Sequence, residues 1–180
     1  MTHTDGQQAA SAVNPPGVFR AAPPILGLDP RMTEEAMSAP SQPPQVLFVT
    51  SNRIGDCVIS SGVIREIARQ LPGAAITVAC GRPPAPFFRS APGVVRTIVL
   101  DKKKMAGHWL DLWRQVVATR WDLVIDIRGS ALAYLVPARR RIVYNRSWET
   151  GLRKVEMVSR LMGSPTPLDP EIFLDDQGRA

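Results

Sequence analysis

Val46-Leu47-Phe48-Val49-Thr50 runs without a polar interruption into Ser51-Asn52-Arg53-Ile54-Gly55-Asp56, and Ile59, Val63, Ile67 and Leu71 then recur at every fourth position. A short, unbroken apolar run of strand length is what a central parallel strand requires, because helices cover both of its faces. The fourfold recurrence, with Arg65, Glu66, Arg69 and Gln70 between the apolar residues, predicts an amphipathic helix that Pro72 and Gly73 end. A strand, a short loop and a helix in that order are the first half of a βαβ unit.

The pattern repeats outward from that unit. Ala75–Ala79 and Arg96–Leu100 are predicted strands, joined by a Pro-rich connection with a short helix near Phe87 and Phe88. Trp109, Trp113, Val116 and Val117 mark a helix that feeds a strand over Leu123–Ile127. Gly129–Val136 reads as a short helix and Arg141–Tyr144 as a fifth strand. Leu152, Val155, Val158, Leu161 and Met162 form a last helical stripe closed by Gly163. Strands alternating with helices predict an α/β fold, a Rossmann-like parallel sheet flanked by helices. We find no internal repeat.

The composition bounds this ordered part. Residues 1–44 are rich in Pro, Ala, Ser and Gln and show no apolar period. Two accounts of them stand side by side: a disordered leader, or a start codon placed upstream of Met32 or Met37. The folded domain is expected over 45–163, and 164–180 reads as a Pro-rich, acidic exit segment. In the 180 residues, a mean hydropathy of −0.05 and 44% apolar content suit a globular chain. No apolar run reaches the roughly 20 residues of a membrane span, and no secretory signal opens the chain. A cytoplasmic location is expected. Two cysteines, Cys57 and Cys80, without metal-ligand spacing fit reduced, buried thiols.

Charge is concentrated in the folded window, where 19 Lys and Arg face eight Asp and Glu, a net +11. Such an excess calls for an anionic partner: nucleic acid, an anionic lipid headgroup or a phosphorylated substrate. Lys102–Lys104 and Arg139–Arg141 read as solvated charge runs, with contact to an anionic membrane surface as the sharper alternative.

In an open parallel sheet ligands collect at the C-terminal ends of the strands, so the loops after Thr50 and Ile127 are the candidate site. Gly55 is expected to permit a tight turn and Asp56 to stand at the N-cap of the following helix. A capping role and a chemical one use the same geometry. As a cap, Asp56 accepts backbone N–H bonds; as a base, it takes a proton from a sugar hydroxyl held close by. Ser51, Asn52 and Arg53 suit either a sugar or phosphate contact or ordinary turn chemistry. Arg128 and Gly129 are placed to meet an anionic acceptor, and Asp126 to order its own loop. Trp109 and Trp113 are expected in the core or at an interface. The loop carries neither G-x-G-x-x-G nor G-x-x-x-x-G-K-[ST], which disfavours a dinucleotide or P-loop nucleotide binder.

Three segments carry a resemblance. The apolar strand leading into Ser51-x-x-x-Gly55-Asp56 is similar to the opening of lipopolysaccharide heptosyltransferases, glycosyltransferase family 9. Trp121-Asp122-Leu123-Val124-Ile125-Asp126-Ile127-Arg128-Gly129 resembles the family's Y-D-x-V-I-D-x-Q-G. Arg139-Arg140-Arg141-Ile142-Val143-Tyr144 resembles its basic strand R-x-I-G-[FY]. The match spans about 120 residues, a domain's length. It implies the N-terminal, acceptor-side domain of a two-domain GT-B enzyme, with the donor-binding C-terminal domain missing. It further implies inverting transfer with Asp56 as general base, and Ser51, Asn52, Arg53, Gly55, Arg128 and Gly129 around the acceptor. No cofactor or metal is expected; a nucleotide sugar such as ADP-heptose is the implied donor. The implied partner is an anionic glycolipid acceptor, a lipopolysaccharide core, with peripheral contact at the inner-membrane surface and no nucleic acid. Where the family often has His-x-Val-[DE], this chain has Arg153-Lys154-Val155-Glu156. The alternative is a non-catalytic remnant or an anion-binding module.

Overall fold

The computed structural model describes residues 42–101, 107–144, 154–164 and 166–173. The expected leader up to residue 41, Lys102–Lys104, Arg153 and the acidic tail after Phe173 lie outside the described residues. Five strands, β1 (Gln45–Val49), β2 (Ala75–Cys80), β3 (Val94–Val99), β4 (Trp121–Asp126) and β5 (Ala138–Val143), form one parallel sheet in the order β3-β2-β1-β4-β5. The chain starts in the middle, builds one edge, then crosses to build the other.

Strand alternation divides the core. Val46 and Phe48 of β1 pack with Ile76, Val78, Leu123 and Ile125 against helices α1 (Ile54–Ile59), α2 (Ser61–Gln70) and, last in the chain, α5 (Lys154–Leu161). Leu47 and Val49 face the other way, with Val124 and Ile98, onto α3 (Gly107–Val116) and α4 (Leu132–Leu135). Both faces are therefore covered, which is why β1, β2 and β4 read as continuous apolar runs.

Three expectations are corrected by the structure. The helix predicted from Ile59 to Leu71 is two helices, broken at Ser60, whose hydroxyl donates to the carbonyl of Cys57 and also meets that of Thr50 at 3.0 Å. Side-chain bonds of this kind compete with the helical ladder, and here they turn the chain between α1 and α2. Second, β5 begins at Ala138, three residues earlier than its apolar part suggests, because an edge strand tolerates charge on its solvent face. Third, Arg141 in that strand is no loosely solvated charge. Its guanidinium donates to the carbonyls of Ala133 at 2.7 Å, Val136 at 2.8 Å and Ala138 at 3.1 Å, closing the end of α4. Arg139 meanwhile pairs with Asp122 at 3.5 Å.

The segment after α5 returns over the domain. Ser159 Oγ accepts from the amide of Leu168, Ser61 Oγ accepts from the amide of Glu171, each at 2.7 Å, and Phe173 packs on Phe87 with ring centroids 5.6 Å apart. These contacts tie it to α2 and α5.

Candidate functional site

The order β3-β2-β1-β4-β5 puts a topological switch point between β1 and β4. The connection leaving β1 runs to helices on one face and that leaving β4 to a helix on the other, so the two loops part and leave a crevice at the strand ends. Residues 50–56 and 127–131 form its two lips. The amide of Ile127 donates to the carbonyl of Val49 at 3.1 Å, which holds the lips at fixed spacing.

On the first lip Ser51 organises the loop. Its hydroxyl donates to Asp56 Oδ2 at 3.0 Å and accepts from the amide of Arg53 at 3.2 Å. Asp56 is not the N-cap: that position is Arg53, and Asp56 sits in the first turn of α1. Nor is Gly55 a turn glycine. It lies inside α1 without a positive φ, is exposed, and a Cβ added there would meet nothing within 4 Å. The close approach instead falls at Gly81, where a Cβ would stand 2.6 Å from the Cα of Asn52. Only a residue without a side chain lets β2's end support that loop.

On the second lip the chain turns at Gly129, whose φ is +64°. Asp126, completely buried, holds this turn: it accepts from the amide of Arg128 at 2.8 Å, from the amide of Ser130 at 2.9 Å and from the Ser130 hydroxyl. Burial raises the Asp126 carboxyl above its ordinary value, partly offset by those bonds and by the Arg128 charge. Arg128 itself is half-buried. It crosses the crevice to Asn52 Oδ1 at 3.3 Å, and its guanidinium lies 4.8 Å from the ring centre of Trp109. Burial pulls its pKa down, opposed by the Asp126 charge. A Cβ on Gly129 would stand 2.7 Å from the carbonyl oxygen of Tyr144 as well as strain the backbone. Gly129→Ala is therefore expected to cost about 2 kcal/mol. A denaturation midpoint equal to wild type contradicts this.

The two lips enclose a cleft of about 270 Å³ lined by Ser51, Asp56, Ile59, Ile127, Arg128, Tyr144, Met157 and Val158. One carboxylate, one guanidinium and two hydroxyls, of Ser51 and Tyr144, thus share a partly apolar wall. Of the residues singled out in the sequence, Ser51, Asn52, Asp56 and Arg128 are brought together here; Arg53 and Gly55 are exposed on the rim, and Gly129 shapes the turn behind. Tyr144, Met157 and Val158 were not foreseen. Tyr144 could have been, since it directly follows β5 at the C-terminal end of the sheet; nothing in the sequence connects Met157 and Val158 on α5 to Asp56. Cys57, next to Asp56, is buried, and its thiol is pushed up to about 11 mainly by that burial, so it stays protonated and unreactive. Among the described residues no group of His, Cys, Asp or Glu is arranged to hold a metal ion.

No protein-family model matches this sequence, and no curated protein does. Solved structures do. The crystal structure of the glycosyl transferase family 9 from Veillonella parvula aligns at a TM-score of 0.59 and 14% identity over 74% of this chain and 46% of that one. E. coli heptosyltransferase WaaC with ADP aligns at 0.51 and 18% over 66% and 46%. E. coli ADP-heptose lps heptosyltransferase II aligns at 0.53 and 16% over 74% and 47%. The described sheet and its helices thus share the fold of family 9 and heptosyltransferase structures, as the sequence resemblance implied. The chain spans just under half the length of each of them.

Proposed function

We propose that this chain forms the acceptor-side half of an inverting, heptosyltransferase-like sugar transferase of GT-B architecture, with Asp56 as the general base. The observation that carries this reading is the Asp56 carboxylate, oriented by Ser51 in a cleft at the switch point, with Arg128 across from it. The acceptor hydroxyl gives its proton to Asp56 as its oxygen attacks the anomeric carbon of the donor sugar. The nucleoside diphosphate leaves from the opposite face, so configuration inverts. Proximity of the bound hydroxyl to Asp56 in the cleft favours the proton transfer. The donor nucleotide sugar is held by a further domain, supplied in the same polypeptide or by a partner.

For the acceptor we propose an anionic glycolipid met at the cytoplasmic face of the inner membrane. Arg128 in the cleft and the net +11 of 45–163 support it. No helix among the described residues is long and apolar enough to cross a membrane, which is compatible with contact from one side.

Arg128 also favours a second reading, a non-catalytic anion-binding module, since a half-buried guanidinium binds anions without any donor. Supplying the chain with a donor-binding half, and recording the anomeric configuration of the product by NMR, separates the two. Transfer with inversion is expected. Retention excludes Asp56 as base, and no transfer with donor bound favours the module.

A further inference from the structure

Beside the Asp56 cleft, on the other side of Arg128, lies a larger cavity of about 770 Å³. Its walls are Trp109, Leu110 and Trp113 of α3 and Ala131, Leu132 and Leu135 at and in α4. Arg128 lines both spaces. The volume is that of a site for a ligand of drug size. Its walls are braced: Trp113 Nε1 donates to the carbonyl of Leu135 at 3.0 Å, joining the two helices across the cavity.

Two polar groups of these walls are already paired. Trp113 has used its one donor, and the Ser130 hydroxyl is given to Asp126. Arg128 is different. Of its five N–H donors the described residues take one, through the 3.3 Å bond to Asn52. It is also the one charged side chain among the described lining residues. A half-buried cation with open donors in the wall of an apolar cavity is complementary to a ligand with an apolar body and an anionic group.

We propose that this cavity holds the apolar body of an amphiphilic acceptor, a ring or short hydrocarbon whose anionic group pairs with Arg128 while its hydroxyl lies toward Asp56. The proposal rests on the transferase reading for its occupant and adds what that reading lacks, the part of the acceptor that α3 and α4 recognise. Trp109 and Trp113 then present ring faces to the ligand rather than only filling space.

Two dyes of similar shape, anionic anilinonaphthalene sulfonate and neutral N-phenylnaphthylamine, test it by fluorescence titration of the 180-residue chain. Both are expected to bind. Ala131→Trp, at an exposed position on the wall, and Leu135→Asp, also exposed, each weaken both dyes about tenfold by filling or polarising the cavity. Arg128→Met weakens the sulfonate about tenfold and leaves the neutral dye within about twofold. In the chain completed with a donor-binding half, the sulfonate dye inhibits competitively against the acceptor. Dye affinities that neither wall variant changes, an Arg128→Met effect equal for both dyes, or inhibition not competitive with the acceptor overturns the proposal. Titration with Asp56→Asn keeps this separate from the transfer reading. If only that reading is wrong, dye binding responds as described and no inverting transfer is seen; if only the cavity is misread, transfer survives and the dye pattern fails.

Discussion

Asp56→Asn is expected to lower kcat by about 10²- to 10⁴-fold, in a polypeptide that carries both the acceptor-side domain and a donor-binding half, the range lost with a general base. The amide has the shape of the carboxylate and can still accept from Ser51 Oγ, which donates to Asp56 Oδ2 at 3.0 Å, so the loop and α1 should keep their conformation. What it cannot do is take a proton. Far-ultraviolet circular dichroism and the denaturation midpoint should therefore match wild type, and KM for the acceptor should change far less than kcat. Turnover within threefold of wild type would refute the assignment. A KM effect with kcat preserved would instead make Asp56 a binding group.

Asp126→Ala should produce the largest loss of stability of any single change at this site, about 3 kcal/mol by denaturant titration. Removing the carboxyl strands the amides of Arg128 and Ser130 and the Ser130 hydroxyl beneath a residue with no solvent exposure. Domains of this size have a total stability of only about 5–15 kcal/mol, so the fraction lost is large. The pH dependence has a definite sign. Burial holds the Asp126 carboxyl above its ordinary value, so what it contributes is fully present below the unfolded carboxylate range and declines as pH rises through the folded value. The penalty of the substitution should shrink in the same direction. A penalty under about 1 kcal/mol, or one that grows with pH, contradicts this account of the turn.

The sheet was legible from Val46–Thr50 and its companions because both faces of β1, β2 and β4 are covered, and burial on both sides writes an unbroken apolar run. The edges were harder. Ala138 to Arg140 carry β5's first half in residues that spell a charged loop, and only pairing with β4 makes them a strand. The break at Ser60 was hidden because the fourfold apolar spacing continues across it; the hydroxyl bonds that turn the chain there depend on Thr50, ten residues away. Within the site, the topology rule located both loops, and Asp56 and Arg128 fall on facing lips as that rule requires. Gly55 was read as a turn because glycine before an acid suggests one, whereas the steric demand sits at Gly81 and Gly129, visible only once the neighbouring strands are in place. The tryptophan pair at 109 and 113 was assigned to packing. That holds, since both rings pack against the core on that face of the sheet; the cavity they also line arises from the gap between α3 and α4, which no local pattern encodes.

Chemical rescue of Asp56→Ala by formate probes the proton-accepting role most directly, in the donor-completed polypeptide. Truncation to alanine opens room in the 270 Å³ cleft for a small carboxylate where the side chain stood. Formate is expected to raise the transfer rate of that variant at least about tenfold, saturably, with no effect on wild type. A folded, donor-binding Asp56→Ala variant whose rate stays flat across formate concentration would show that the missing function at this position is not a base.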